Sequence, residues 1–133
     1  MGLYQFLILK SDGQIVFSIN LSEDVVSPQK SAEFIKDAYL FAEETLRQKI
    51  TTIKTRNRLF VLKELGKDML MAVMTDENEY ETIELNAEKI IDFLYETLKK
   101  LDAESIKNIL SSPEVQKKIV EILKSNPRYF MRE

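Results

Sequence analysis

The chain has 133 residues, 44% of them apolar and 31% charged, with a net charge of −3; this fits one domain that buries roughly two-thirds of its unfolded surface. It holds no histidine and no cysteine, which excludes the commonest general base and metal ligand, Ser–His triads, disulfides and thiolate zinc sites. The negative balance speaks against nucleic-acid binding, no apolar run is long enough to span a bilayer, and Met1 leads into a strand without the basic flank of a signal peptide.

Residues 3–10, LYQFLILK, place Tyr4, Phe6 and Ile8 on one face of an extended chain and Leu3, Leu7 and Leu9 on the other. A strand apolar on both sides is an interior strand. Asp12-Gly13 supplies the two left-handed positions of a type I′ hairpin turn. The return strand sets Ile15, Phe17, Ile19 and Leu21 against Gln14, Ser18 and Asn20, and its polar face marks an edge.

Ser27-Pro28 is an N-cap followed by proline at the first helical position, which predicts a helix over residues 28–47. Wound at about 100° per residue, it puts Ala38 and Ala42 at the centre of an apolar arc, Ile35 and Leu46 on one rim, and Phe34 and Phe41 on the other. Leu40 is stranded on the opposite face among Lys36, Glu43, Glu44 and Arg47.

Residues 50–75, ITTIKTRNRLFVLKELGKDMLMAVMT, read as three strands joined by tight turns. In the middle one Leu59, Val61 and Leu65 oppose Phe60 and Leu62; in the last Met69, Met71 and Val73 oppose Leu70, Ala72 and Met74. Both are therefore covered twice. In the first, Ile53 alternates with Thr52 and Lys54, so this strand is the second edge.

An acidic loop, TDENEYETIEL, follows, and Asn86 then caps a helix with Leu85 and Ile90 as its flanking contact. Ile90, Leu94, Leu98 and Leu101 form its inward stripe. Asp102 caps a short helix carrying Ile106, Ile109 and Leu110; Ser112-Pro113 opens another with Val115, Ile119 and Ile122 inward; Asn126-Pro127 stops it.

Three doubly apolar strands must be interior and two one-sided strands must be edges. This predicts a three-layer α/β/α protein of the α+β kind, with a five-stranded antiparallel sheet in the order 2-1-5-4-3 and helices on both faces. It is read as one domain over residues 1–133, with a core over 2–110 and a C-terminal helical extension and tail over 111–133.

The opening hairpin LYQFLILKSDGQIVF, and RLFVLKELGKDMLMAVM leading through a polar loop to IIDFLYETL, resemble the longin and roadblock group of profilin-like domains. Because a roadblock domain normally begins with a helix and this chain begins with a strand, the longin order is closer. The resemblance implies a cytoplasmic, non-enzymatic interaction module, held at membranes only through a partner, that scaffolds or regulates small GTPases or vesicle-trafficking machinery. It implies partners that are proteins: the chain itself as a homodimer, another longin/roadblock-like chain, or a small GTPase.

The residues support no chemistry beside this. Gly2, Gly13 and Gly66 are too far apart to cradle a phosphate, and the acids Asp76, Glu77, Glu79, Glu81 and Glu84 lack the central glycine of a calcium loop. No cofactor is expected. Arg128 and Arg132 of the tail contribute only about 2 kcal/mol at an anionic membrane, too little for stable insertion. Docking is expected at the edge strand, through Thr51, Thr52, Ile53, Lys54 and Thr55 with the basic turn Arg56 and Arg58, and on the helix beside it, through Tyr39, Leu40 and Phe41. The alternative is a PAS-like small-molecule sensor, which needs a cavity between sheet and helix. Abundant Lys, Glu and Ile, with no Cys or Trp, suit a thermophilic or archaeal source.

Overall fold

The computed structural model describes residues 3–23, 25–65, 68–76, 80–98 and 103–125. The expected cap at Asp102, the stop at Asn126-Pro127, the tail arginines, Leu101, Glu77, Glu79 and Gly66 lie outside them, as do the side chains of Leu98 and Ile106. In chain order the elements are β1 (Leu3–Lys10), β2 (Ile15–Asn20), α1 (Pro28–Phe41), β3 (Thr52–Lys54), β4 (Arg58–Glu64), β5 (Met69–Asp76), α2 (Tyr80–Leu98), α3 (Ala103–Leu110) and α4 (Pro113–Lys124). The strands form one sheet in the order β2-β1-β5-β4-β3, with every neighbouring pair antiparallel. The doubly apolar strands are interior and the one-sided strands are edges, because only an interior strand has both faces covered.

The two faces carry separate cores. On one, Leu7, Leu9, Phe60, Leu62, Leu70, Ala72 and Met74 pack against Ala32 and Ile35 of α1. On the other, Phe6, Ile8, Leu59, Val61, Met71 and Val73 meet Ile83, Ala87, Ile90 and Leu94 of α2, Leu110 of α3 and Ile119 and Leu123 of α4. The stretch beyond residue 110 thus adds two fully buried aliphatic side chains to this second core. At about 25 cal/mol per Å² of apolar surface, such side chains contribute roughly 1.5–3 kcal/mol each.

Four local expectations are corrected. In β1, Leu3 pairs with Thr75 and Gln5 with Met74, which leaves Tyr4 as an inserted residue. A bulge reverses the parity of everything before it: Leu3 joins Phe6 and Ile8, and Tyr4 joins Leu7 and Leu9. In β2, Leu9 pairs with Ile15 and Ile8 with Phe17, so Val16 is the extra residue and Ile15 turns to the α1 side, away from Phe17, Ile19 and Leu21.

The β1–β2 turn is also not of type I′. Asp12 is not left-handed; Gly13 alone in this turn takes a positive φ, of 90°. The Gly13 amide donates to the Lys10 carbonyl at 2.9 Å and the Gln14 amide to the Asp12 carboxylate at 2.9 Å. The side-chain bond satisfies the loop backbone and makes a three-residue connection with one left-handed glycine.

The third correction is Asn86, which caps nothing at the start of its own helix. α2 begins at Tyr80, so part of the supposed acidic loop is its first turns. Tyr80 and Glu84 bond across one turn at 3.1 Å, and Lys63 pairs with Glu84 at 2.9 Å and Glu88 at 3.0 Å, which ties the turns to β4. Burial works against the Lys63 charge, but the two carboxylates outweigh it and raise its pKa.

The fourth concerns α1. Ser27 caps it as expected, accepting from the Lys30 amide, but the buried arc is Ser31, Ala32 and Ile35. Phe34, Phe41 and Leu46 are 45%, 57% and 57% exposed. After Phe41 the helix widens into a π turn, Ala42–Leu46, closed by Arg47 in the left-handed conformation. The wider turn rotates the end of the helix, so Ala42 stays buried while Leu46 swings out.

Candidate functional site

Among the described residues β3 has a neighbour on only one side. Leu62 donates its amide to the Thr51 carbonyl at 2.9 Å and Thr55 donates to Arg58 at 2.8 Å. By the alternation of an antiparallel ladder, Thr51, Ile53 and Thr55 bond inward while Thr52 and Lys54 turn their backbone groups to the open side. Ile53 pairs with Phe60, and the Phe60 ring meets Phe34 of α1 with centroids 5.8 Å apart. Phe41 lies seven residues beyond Phe34, two turns along the same helix face. Edge strand and exposed aromatic stripe therefore adjoin on one side of the molecule.

The expected docking residues divide. Phe41, Thr51, Lys54, Thr55 and Arg56 are exposed and Leu40, Thr52 and Ile53 half-buried; helical spacing puts Leu40 on a different face of α1 from Phe34 and Phe41. Arg58 is drawn away: its guanidinium lies 4.1 Å from the centre of the Tyr4 ring, and its Nη1 is 3.9 Å from the Met74 sulfur. The Tyr4 hydroxyl donates to Asp76 at 2.8 Å, and that bond to a carboxylate, with burial, raises its pKa. Tyr39 turns the other way, into a cavity. Phe34, which helical periodicity puts on the rim of the buried arc, belongs to the exposed face; its seven-residue spacing from Phe41 is the signal that joins it there.

The cavity, of about 330 Å³, lies between α1 and the two turns at that end of the sheet. Leu9, Ile35, Met69 and Leu70 contribute apolar lining, and Lys10, Lys36, Lys49, Glu43, Glu64 and Asp68 ring it with charge. Glu64 organises one side, accepting from Tyr39 at 3.3 Å and forming a close ion pair with Lys49. Lys49 holds the Glu64 carboxyl below its ordinary range and is itself raised by Glu64. Burial, then the nearby Glu43 and Glu64 charges, raise the Tyr39 pKa. Among the described residues no group of three or more acidic side chains converges to hold a metal ion, and no helix is long and apolar enough to cross a membrane.

No protein-family model and no curated protein matches the sequence. Among solved structures the chain is similar to the gliding protein MglB from Thermus thermophilus, at 11% identity and a TM-score of 0.49, over 57% of this chain and 62% of that one. It spans less than two-thirds of that protein's length. It is also similar to a Roadblock/LC7 domain from Streptomyces avermitilis, at 13% identity and a TM-score of 0.44, over 98% of this chain and 88% of that one. The strand order, with helices on both faces of the sheet, is the one expected from the sequence's resemblance to longin/roadblock-like domains.

Proposed function

We propose that this chain is a non-enzymatic protein-interaction module that docks through the β3 edge and the aromatic stripe of α1. The observation that carries the reading is the exposure of Phe34 and Phe41 beside an edge strand. Large aromatic side chains left in water next to a strand with an open side favour strand addition joined to helix packing. Its partner is a second copy or another longin/roadblock-like chain, and the assembly serves a small GTPase or trafficking-type machinery, as the resemblance implies. The tests are light scattering on the pure protein and a pull-down against GTPases from the same genome. A strict monomer that captures none of them would defeat the proposal.

The cavity favours a second reading, a sensor for a small polar ligand. Its mixed ring of lysines and carboxylates suits a zwitterion better than an apolar compound. A screen of amino acids and related zwitterions by thermal shift separates the two readings: a compound that stabilises the wild type but not Lys49→Met supports the sensor.

A further inference from the structure

The opposite edge of the sheet carries a second feature, independent of the β3 face. β2 is six residues long and, among the described residues, bonded only to β1. Leu21 donates its amide to the Tyr4 carbonyl at 2.9 Å, so by ladder alternation Ile19 and Phe17 bond inward while Ser18 and Asn20 turn their amides and carbonyls outward. A trench follows that edge. One part, of about 430 Å³, is lined by the consecutive residues Ile15, Val16, Phe17 and Ser18. Consecutive strand residues can line one hollow only where the backbone edge itself is open. Its banks are Gln29 at the start of α1 and, across the sheet, Lys107, Ser111 and Gln116. Gln116 also lines the continuation, of about 630 Å³, in which Ile19 and Val120 provide an apolar floor beneath Lys117 and Lys124.

Charge chooses the occupant. Among the described residues three lysines, Lys107, Lys117 and Lys124, stand against one acid, Glu121, along this trench, on a chain whose net charge is −3. We infer that the β2 edge is a docking groove for an extended acidic segment of a partner protein, added antiparallel or parallel to β2 as a sixth strand. Its backbone pairs with Ser18 and Asn20; the side chains that it turns to the α3–α4 face lay their stems on Ile19 and Val120 and set their carboxylates against Lys107, Lys117 and Lys124, while the side chains between them face the α1 side. Strand addition supplies affinity through the main chain, and alternate side chains supply selection; the lysines add rate and salt sensitivity.

The experiment is a titration of the full chain, labelled with nitrogen-15, with a soluble ten-residue peptide alternating glutamate and valine, alongside the same peptide with lysine for glutamate. The expected result is amide shifts confined to residues 16–20 and 116–124 with the acidic peptide, weakening as salt rises, and none with the basic one. The double variant Lys117→Glu, Lys124→Glu lies on the exposed face of α4, spares the fold, and should weaken the acidic peptide by about tenfold or more. Ser18→Pro, which removes an outward amide and no β1–β2 bond, should weaken both strand addition and the shifts. Silence at residues 16–20 with millimolar peptide, equal binding of the basic peptide, shifts at the β3 edge instead, or shifts at Ser18 and Asn20 on dilution without peptide would each overturn it, the last in favour of a second copy of the chain.

Discussion

The Asn86 carboxamide nitrogen donates to the carbonyl of Ser125 at 2.8 Å and to that of Leu123 at 3.2 Å, while its oxygen accepts from the Ser125 hydroxyl at 3.2 Å. A buried residue in the middle of α2 thus closes the C-terminus of α4, where the last carbonyls of a helix have no partner of their own. Asn86→Leu fits the apolar surroundings but orphans those carbonyls. It should cost about 2–3 kcal/mol, read as a lower denaturant midpoint with faster amide exchange in α4. A loss under about 0.5 kcal/mol, the level of an ordinary surface substitution, would show that the bond does not hold α4.

Phe41 should behave in the reverse way. As an exposed side chain, its replacement by serine should leave stability within about 0.5 kcal/mol of wild type. If the α1–β3 face is an interface, however, the same change together with Phe34→Ser should weaken self-association by about tenfold or more, measured by sedimentation. Unchanged association of a folded double variant would count against this face.

Gly13 offers a backbone test. Its φ of 90° is a conformation that side chains rarely adopt, and an added Cβ would meet the Lys36 Cδ at 2.7 Å. Gly13→Ala should cost about 1–2 kcal/mol. Because the clash is with the bendable stem of a lysine, adding Lys36→Ala should recover only the steric share and leave the strain. Full recovery in the double variant would assign the whole cost to crowding.

Glu64 sets a pH dependence. Its pKa is lowered in the folded chain, by Lys49 first, so the unfolded state takes up its proton at higher pH than the native state does. The stabilisation is therefore complete above the ordinary carboxylate pKa of 4.5 and is lost as pH falls through and below it. Both partners face water, so the effect is shallow and screened by salt. Glu64→Gln should flatten thermal stability between pH 5 and 3 relative to wild type, and a parallel pH profile would refute the assignment.

Much of this architecture is legible in residue order. Sidedness alone separates Phe60 and Leu62 from Leu59 and Val61, and it distinguishes the one-sided strand of Ile53 from the two-sided strand of Val73. The proposed docking face is half legible: β3 follows from its alternation, but Phe34 reads as buried until α1 is laid on the sheet. Arg58 looks like a free basic turn residue because nothing local announces that a ring from β1, 54 positions earlier, will sit under its guanidinium.

What the amino-acid order determined by itself is which segments are strands, which of them are interior, and where the first helix starts, since these depend on short-range periodicity and on caps within a few residues. Only the tertiary structure decided the two bulges, the early start of α2 and the role of Asn86. Each rests on a partner far along the chain: a bulge exists only relative to the strand opposite it, and an amide in mid-helix becomes a cap only when another helix ends against it.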